Sequence, residues 1–435
     1  MDTDEQPEIP PEISPPLASP GMLGRARSLL IDLLPLRESR EFRLLWIGDS
    51  ISDIGSHITA VAIPFQVFNL THHSSLAVGL LGLCALVPLL TLPLVGGAIA
   101  DAMDRRTLML RTNTALAALS GVLAFNALPG QRHLWVLYAI ATLQAALWSI
   151  QMPAMRSLVP RLVPKDSFPS ANALMNMSGT SSHLIGPTVG GLLIATLGVS
   201  NTYLFDLGTF AAVLIAIRMM QRQPPSEDSE PFSLESIRQG LRFLKGRKVL
   251  QSTFTIDLNA MIFGMPMALF PAMALRLGGG AKLLGVLYAA PFAGSFIVTI
   301  LSGRARHVRR QGLAVMVCVV AWGGFIAGFG LARTTWVALL MLAFAGAADM
   351  ISAIYRSTIL QTVAPDELRG RLSGIELAVV ASGPSIGDVE AGAVASIFNL
   401  PVAIVSGGLL CIAGVAVLAA RVPQFARYDA KNPTP

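Results

Sequence analysis

The chain has 435 residues, of which 53% are hydrophobic and 13% charged, with a net charge of +6. Soluble globular proteins carry about 25% charged residues, so much of this chain does not face water. The basic residues lie in loops, tails and the ends of apolar runs, and no folded basic face for nucleic acid is expected.

Residues 1–43, opening MDTDEQPEIPPEISPPLASP, are acidic and proline-rich and read as a disordered tail with a short lead-in. Twelve apolar runs follow, at 44–70, 76–100, 107–128, 133–155, 171–196, 200–219, 249–275, 283–302, 312–331, 335–355, 372–397 and 400–420. Each suits a helix crossing a bilayer core of about 30 Å. Residues 44–219 and 249–420 thus hold six spans each. Residues 220–248 form a linker whose stretch SLESIRQGLRFLKGRK reads as a basic amphipathic helix at the membrane surface. Residues 421–435 are a second tail. All lysines and arginines except Arg132, Arg276, Lys282 and Arg333 fall on the side of the N-terminus. That asymmetry predicts cytoplasmic termini. The excess of Arg over Lys, with abundant Ala, Leu and Gly, points to a bacterial plasma membrane.

The second six spans echo the first. LLGLCALVP (Leu80 to Pro88) matches LLGVLYAAP (Leu283 to Pro291), and RSLVPRLVPKD from Arg156 matches RSTILQTVAPD from Arg356. Pro64 has a counterpart in Pro266, and GPTVG from Gly186 in GPSIG from Gly383. Two related six-helix bundles are expected. In lipid, glycine lets helix backbones approach and proline bends a helix. Gly186, Pro187, Gly190, Gly191, Gly383 and Pro384 therefore predict bends in the fifth and eleventh spans, against the opposite half or along a cavity.

On these motifs the chain resembles the major facilitator superfamily from the end of the N-tail onward. The stretch GAIADAMDRR keeps the superfamily's loop pattern in Gly97, Asp101, Arg105 and Arg106, with Ala102 and Asp104 departing from it. A conformational gating role, with the arginines bonding across the interface between halves, is what the resemblance implies. SGRARHVRR keeps Gly303, Arg309 and Arg310 without an acid. GPTVGG resembles the fifth-helix motif of the superfamily's drug–proton antiporters, with Ser182 in place of an upstream glycine. PAMRSLVPRLVPKDSFPSANALMNM and PDELRGR resemble the branch of the enterobactin exporter and macrolide-type efflux proteins. The implied fold is an all-α membrane protein with twelve transmembrane helices in two six-helix pseudo-repeat bundles. The implied activity is export of a small amphipathic molecule, a siderophore or drug-like compound, by proton antiport. Partners are then the small-molecule substrate, protons and the lipid bilayer, with the chain a monomer.

Ionisable groups inside a membrane are candidates for function. Asp49, Asp53, Asp206, Asp257, Asp349, Glu376, Asp388 and Glu390 fall within spans, and no Lys or Arg lies at a span centre to pair with them. A carboxyl group that alternates between wet and dry surroundings can load and release a proton. Asp49, Asp53 and His57 share one helix stripe. Asp53 lies about 14 Å beyond Leu44, near the midplane, where transporter sites cluster. Asp53 is the first coupling candidate, followed by Asp49, Asp257, Asp388 and Glu390. Asp349 is expected to pair with Arg356, and Asp206 and Glu376 to be hydrated near span ends. The arginine that many drug antiporters carry in the fourth span is Ala141 here. His57, Met261 and Met265 are candidates for the substrate cavity, in a seventh span also rich in Met267, Met273, Phe263 and Phe270.

No nucleophile–base constellation, phosphate loop or metal-spaced cluster is present, so neither an enzyme, a metal site nor a cofactor is expected. Cys84, Cys318 and Cys411 read as small apolar residues. Uptake by proton symport, or a non-transporting sensor or assembly protein on the same fold, stays open at this point.

Overall fold

The structure is a computed structural model that describes residues 32–224, 238–239, 242–301 and 308–430. Residues 1–31 of the N-terminal tail, residues 233–237 and 240–241 of the expected linker helix, and Gly303 lie outside the described residues, as does the side chain of Asp101.

Among the described residues, twelve long helices run in chain order: α1 (Arg40–Leu70), α2 (Ser75–Ala102), α3 (Arg105–Asn126), α4 (Leu134–Leu162), α5 (Phe168–Leu197), α6 (Val199–Met219), α7 (Lys248–Arg276), α8 (Gly280–Leu301), α9 (Gln311–Leu331), α10 (Thr335–Val363), α11 (Asp366–Ile397) and α12 (Leu400–Arg421). Short polar side chains start several of them. Ser39 accepts from Phe42 N at 3.1 Å, Ser74 from Ala77 N at 3.2 Å and Asp104 from Thr107 N at 2.8 Å. Each supplies an acceptor for a helix-end N–H that has no partner within the helix.

Among the described residues, nine helices are long and apolar enough to cross a membrane by length and composition. The remaining three, α1, α5 and α11, are 31, 30 and 32 residues long; α1 and α11 carry most of the intramembrane acids, and α5 and α11 the Gly-Pro motifs. Polar content lowers their hydropathy without shortening them, because they face other helices. Large apolar side chains such as Val87, Ile300, Leu331 and Trp336 stand exposed around the bundle, as a lipid-facing surface requires.

The first bundle packs α1 on α5 and α6, α2 on α4, and α3 on α4 and α6. The second packs α8 on α10, α9 on α10 and α12, and α7 on α11 and α12. Two pairs do most of the joining between halves: α2 with α11, and α5 with α8.

The breaker motifs sit at these joints. A Cβ on Gly191 would lie 2.5 Å from the Ala281 carbonyl oxygen, and one on Gly82 would lie 2.6 Å from the Ser385 oxygen. No side chain fits at such separations. Gly186 and Gly190 back onto His57 and Ile58 of α1, while Gly383 backs onto Met261 of α7.

α5 and α11 run as unbroken helices through Pro187 and Pro384. The helix that breaks is α7, split into Lys248–Gly264 and Phe270–Arg276 around Pro266 and a 3-10 turn, Met267–Leu269. A proline can persist inside a long helix when its neighbours pack it. At Pro266 a carboxylate from α11, described below, stabilises the broken form.

Candidate functional site

α1 carries its polar stripe into the first bundle. Asp53 lies 13 residues, or about 20 Å, from the start of the 31-residue α1, close to its middle. Asp49, Ser52, Asp53 and Ser56 line a recess of about 280 Å³, facing Asn113 of α3 and Gln151 and Arg156 of α4. The structure therefore brings together the first two coupling candidates with a set of amides and a cation.

His57 leaves the recess and turns toward the opposite half. Its Nδ1 lies 2.8 Å from the Asp53 carbonyl oxygen and 3.5 Å from the Asp53 carboxylate. Its Nε2 meets Nε2 of His183 on α5 at 3.3 Å. The His183 ring stacks on Phe292 of α8, with centroids 4.3 Å apart and planes at 15°. Asp53, His57, His183 and Phe292 thus form one chain of contacts from the first bundle into the second. His183 escaped the sequence reading. Its signal was its place three residues before Gly186, on the face of α5 that the motif turns to α1.

A second, larger cavity of about 530 Å³ lies between the halves. Leu89, Pro93 and Gly97 of α2, Trp148, Met152 and Arg156 of α4, and Ser373, Ala378 and Ser382 of α11 are among the residues that form its walls. It occupies the end of the molecule where α1 begins and α2 and α4 finish. At the other end, Ser75, Gly79 and Gly82 of α2 press on Gly392, Asp388 and Ser385 of α11, and Gly191 on Gly285. The two halves are parted at the end near the chain termini and sealed at the far end.

Asp257 is not alone, contrary to expectation. Arg356 lies within α10, which runs to Val363, and its Nη2 is 2.7 Å from Asp257 Oδ1. Both side chains are almost fully buried. Arg356 also donates to Ser352 Oγ at 3.0 Å and forms the expected ion pair with Asp349, longer at 3.9 Å. A buried guanidinium takes the carboxylate that shares its burial, and Asp349 is more exposed.

Asp206 is likewise not a hydrated residue near a span end. It is buried in α6, and its Oδ2 accepts from Thr59 of α1 and Ser120 of α3, each at 2.7 Å. Gly55 leaves the space beside it. Asp206 ties three helices together. Asp388 accepts from the backbone N of Ala268 at 2.8 Å, so it caps the break in α7. Glu390 is half-buried near the sealed end, about two helical turns beyond Ser382. Met261 packs on Gly383, and Met265 lines a small void at the α7 break with Trp322 and Phe292. Neither methionine lines the larger cavity.

Among the described residues, the bonds of the paired arginines run to the first bundle and to the start of the linker. Arg106 donates to the Ile217 and Arg218 carbonyls at the end of α6, at 2.8 and 2.6 Å. Arg105, buried, donates to Ser157 of α4 at 2.8 Å and to the Pro224 carbonyl at 3.2 Å. Asp104, which departs from the superfamily pattern, also accepts from Gln223 N at 3.0 Å. Arg106 thereby satisfies C-terminal carbonyls of α6, the negative end of its helix dipole. Gly97 lies on the cavity wall.

Comparisons with known proteins agree with this architecture. The chain is 29% identical over 418 residues to the enterobactin exporter EntS of Citrobacter koseri, covering 94% of this chain and 98% of that one. It is 30% identical over 402 residues to EntS of Shigella flexneri, covering 90% and 94%. Among solved structures it resembles a point mutant of the nucleoside transporter NupG, at TM-score 0.71 and 14% identity, over 89% of this chain and all of that one. It also resembles a bacterial homolog of the human lysosomal transporter Spinster in an inward-facing, unoccupied conformation, at TM-score 0.65 and 17% identity, over 89% and 96%. These two show the shared fold. A family model described as transmembrane secretion effector (MFS_3) matches residues 32–435. With that match over nearly the whole described chain, the protein belongs to the transmembrane secretion effector family of the major facilitator superfamily, and is a multi-pass membrane transporter rather than an enzyme.

Proposed function

We propose that the protein exports a small amphipathic molecule, of siderophore or drug-like character, from a bacterial cytoplasm by alternating access coupled to proton antiport. The cavity between the halves, paired with the glycine-lined seal at the far end, is the observation that carries this reading. An alternating-access carrier needs two bodies that part at one face while touching at the other. Residues 44–219 and 249–420 are those bodies, working as a monomer with both termini cytoplasmic and with residues 220–248 as their tether. The parted end is then the inward-facing entrance. The named activity of the EntS relatives favours export and a siderophore-like cargo.

Proton coupling belongs to the recess on α1, with Asp53 first and Asp49 next. Asp53 stands where the recess meets the His57–His183 contact that reaches α8, so a change of protonation there is felt by both halves. Asp257 serves the Arg356 ion pair and Asp388 the α7 break, which ranks both below the α1 acids as carriers of a transported proton. Gly97, Asp101, Arg105 and Arg106 act as the gating motif by holding α2, α3, α4 and α6 as one body during rocking.

The test uses purified full-length protein in proteoliposomes with an acidic interior and a pH-sensitive dye inside. Catecholate siderophores, macrolides and lipophilic cations are added in turn to wild type and Asp53→Asn. Cargo-dependent loss of the proton gradient in wild type alone supports antiport through Asp53. The same flux in the variant removes Asp53 from the coupling path. Flux that dissipates no gradient rejects proton antiport, and silence with folded protein and every compound favours a non-transporting role.

A further inference from the structure

We propose that Arg156 is the anion-recognising residue of the inter-bundle cavity, so that the molecule carried is an amphipathic anion. This deepens the export reading and rests on the cavity being the cargo site.

Four observations converge on it. First, the wall of the 530 Å³ cavity is almost wholly apolar, built from residues such as Leu89, Pro93, Trp148, Met152 and Val379, and among its described lining residues Arg156 is the one ionisable side chain. Second, Arg156 is exposed to that space, and no described residue gives it a hydrogen bond or ion pair. Its neighbours are all engaged: Arg105 with Ser157, Arg106 with the end of α6, and Arg161 with the Pro224 carbonyl at 2.9 Å. A guanidinium has five donors and is costly to hold against apolar walls without acceptors.

Third, Arg156 lies six residues before the end of α4, on the wall between the halves. A residue that only anchors the helix at the headgroups belongs on the lipid-facing surface at the helix end. Fourth, its repeat counterpart answers the same problem differently. Arg356 stands 200 positions later at the same place in α10, and there Asp257 of α7 neutralises it. In the first half Arg156 also borders the recess that holds Asp49 and Asp53 of α1, yet among the described residues it forms no ion pair with them. The fork of a guanidinium matches carboxylate, sulfonate and phosphate geometry, and apolar walls suit the rest of such a molecule.

The experiment measures binding rather than flux, by equilibrium dialysis on nanodisc-embedded full-length protein, with empty nanodiscs subtracted. The probes are tetraphenylborate and tetraphenylphosphonium, which share a shape and differ in sign. Wild type is expected to prefer the anion by about tenfold or more, the scale of one charge-assisted contact. Arg156→Gln should abolish that preference while leaving cation binding within about twofold. Ser373→Asp, which adds a carboxylate to the α11 wall, should reduce the preference comparably and serves where Arg156→Gln fails to fold. Equal affinity for the two ions in wild type, or an unchanged preference in either folded variant, overturns the proposal. Because no flux is measured, a protein that binds anions through Arg156 but moves nothing would sink the transport reading alone. A protein that moves cations and ignores anions would sink this inference alone.

Discussion

Arg356 of α10 and Asp257 of α7 meet at 2.7 Å in a part of the second bundle that solvent hardly reaches. Removing one partner of such a pair strands the other charge. Asp257→Asn is therefore expected to destabilise the protein by about 3 kcal/mol or more, read as a lowered melting temperature in detergent. The paired replacement Asp257→Leu with Arg356→Met should recover most of that loss. A melting temperature unchanged in Asp257→Asn would show that the pair carries no structural weight and would restore Asp257 as a coupling residue.

Asp206 predicts a different pattern. Asp206→Ala leaves the hydroxyls of Thr59 and Ser120 without their acceptor and should cost about 2 kcal/mol. Asp206→Asn keeps an acceptor oxygen and should cost less. Proton-coupled flux per folded molecule should survive in Asp206→Asn, whereas a coupling residue would lose it.

The far-end seal depends on backbone contact between α5 and α8. Gly285 faces the Pro187 carbonyl and Gly191 with no room for a side chain. Gly285→Leu should force the far ends of α5 and α8 apart. Spin labels at the exposed positions Leu197 and Lys282, in a background lacking the half-buried Cys84 and Cys318, should report a longer distance than in wild type. Cargo flux should fall at least about tenfold, the effect of a penalty near 1.4 kcal/mol on the sealed state. An unchanged distance would show that the seal tolerates bulk.

Arg106 holds the end of α6 from the start of α3. Arg106→Ala should lower stability by about 1 kcal/mol, the scale of losing a cation at a helix C-terminus, and denaturant unfolding of the solubilised protein measures it. Arg106→Lys, which keeps the charge without the two-pronged contact, should fall between.

Membrane spans were legible in the sequence because hydropathy is a local property: a run of apolar residues is apolar whatever packs on it. Twelve helices, the twofold repeat and the glycine motifs could be read that way, and the motifs do lie where helices touch. The span ends were less legible. The tenth apolar run closes at 355, yet α10 continues to Val363, and Arg356 within it pairs with an acid of another helix that no local stretch reveals. Asp206 looked like a hydrated residue near a span end for the same reason: its donors come from α1 and α3.

By itself, then, the sequence determined that this chain spans a membrane, that it is built twice, and that acids lie within its spans. Each of those follows from composition and order along the chain. Only the tertiary structure decided which acids have partners. It also decided that Arg106 holds the end of α6, that α7 breaks at Pro266, and that His183 bridges toward α8. These depend on how each helix is rotated about its axis and which neighbour fills the space beside it. That rotation is set by the sum of contacts from several helices distant in sequence, so no single stretch of the chain encodes it.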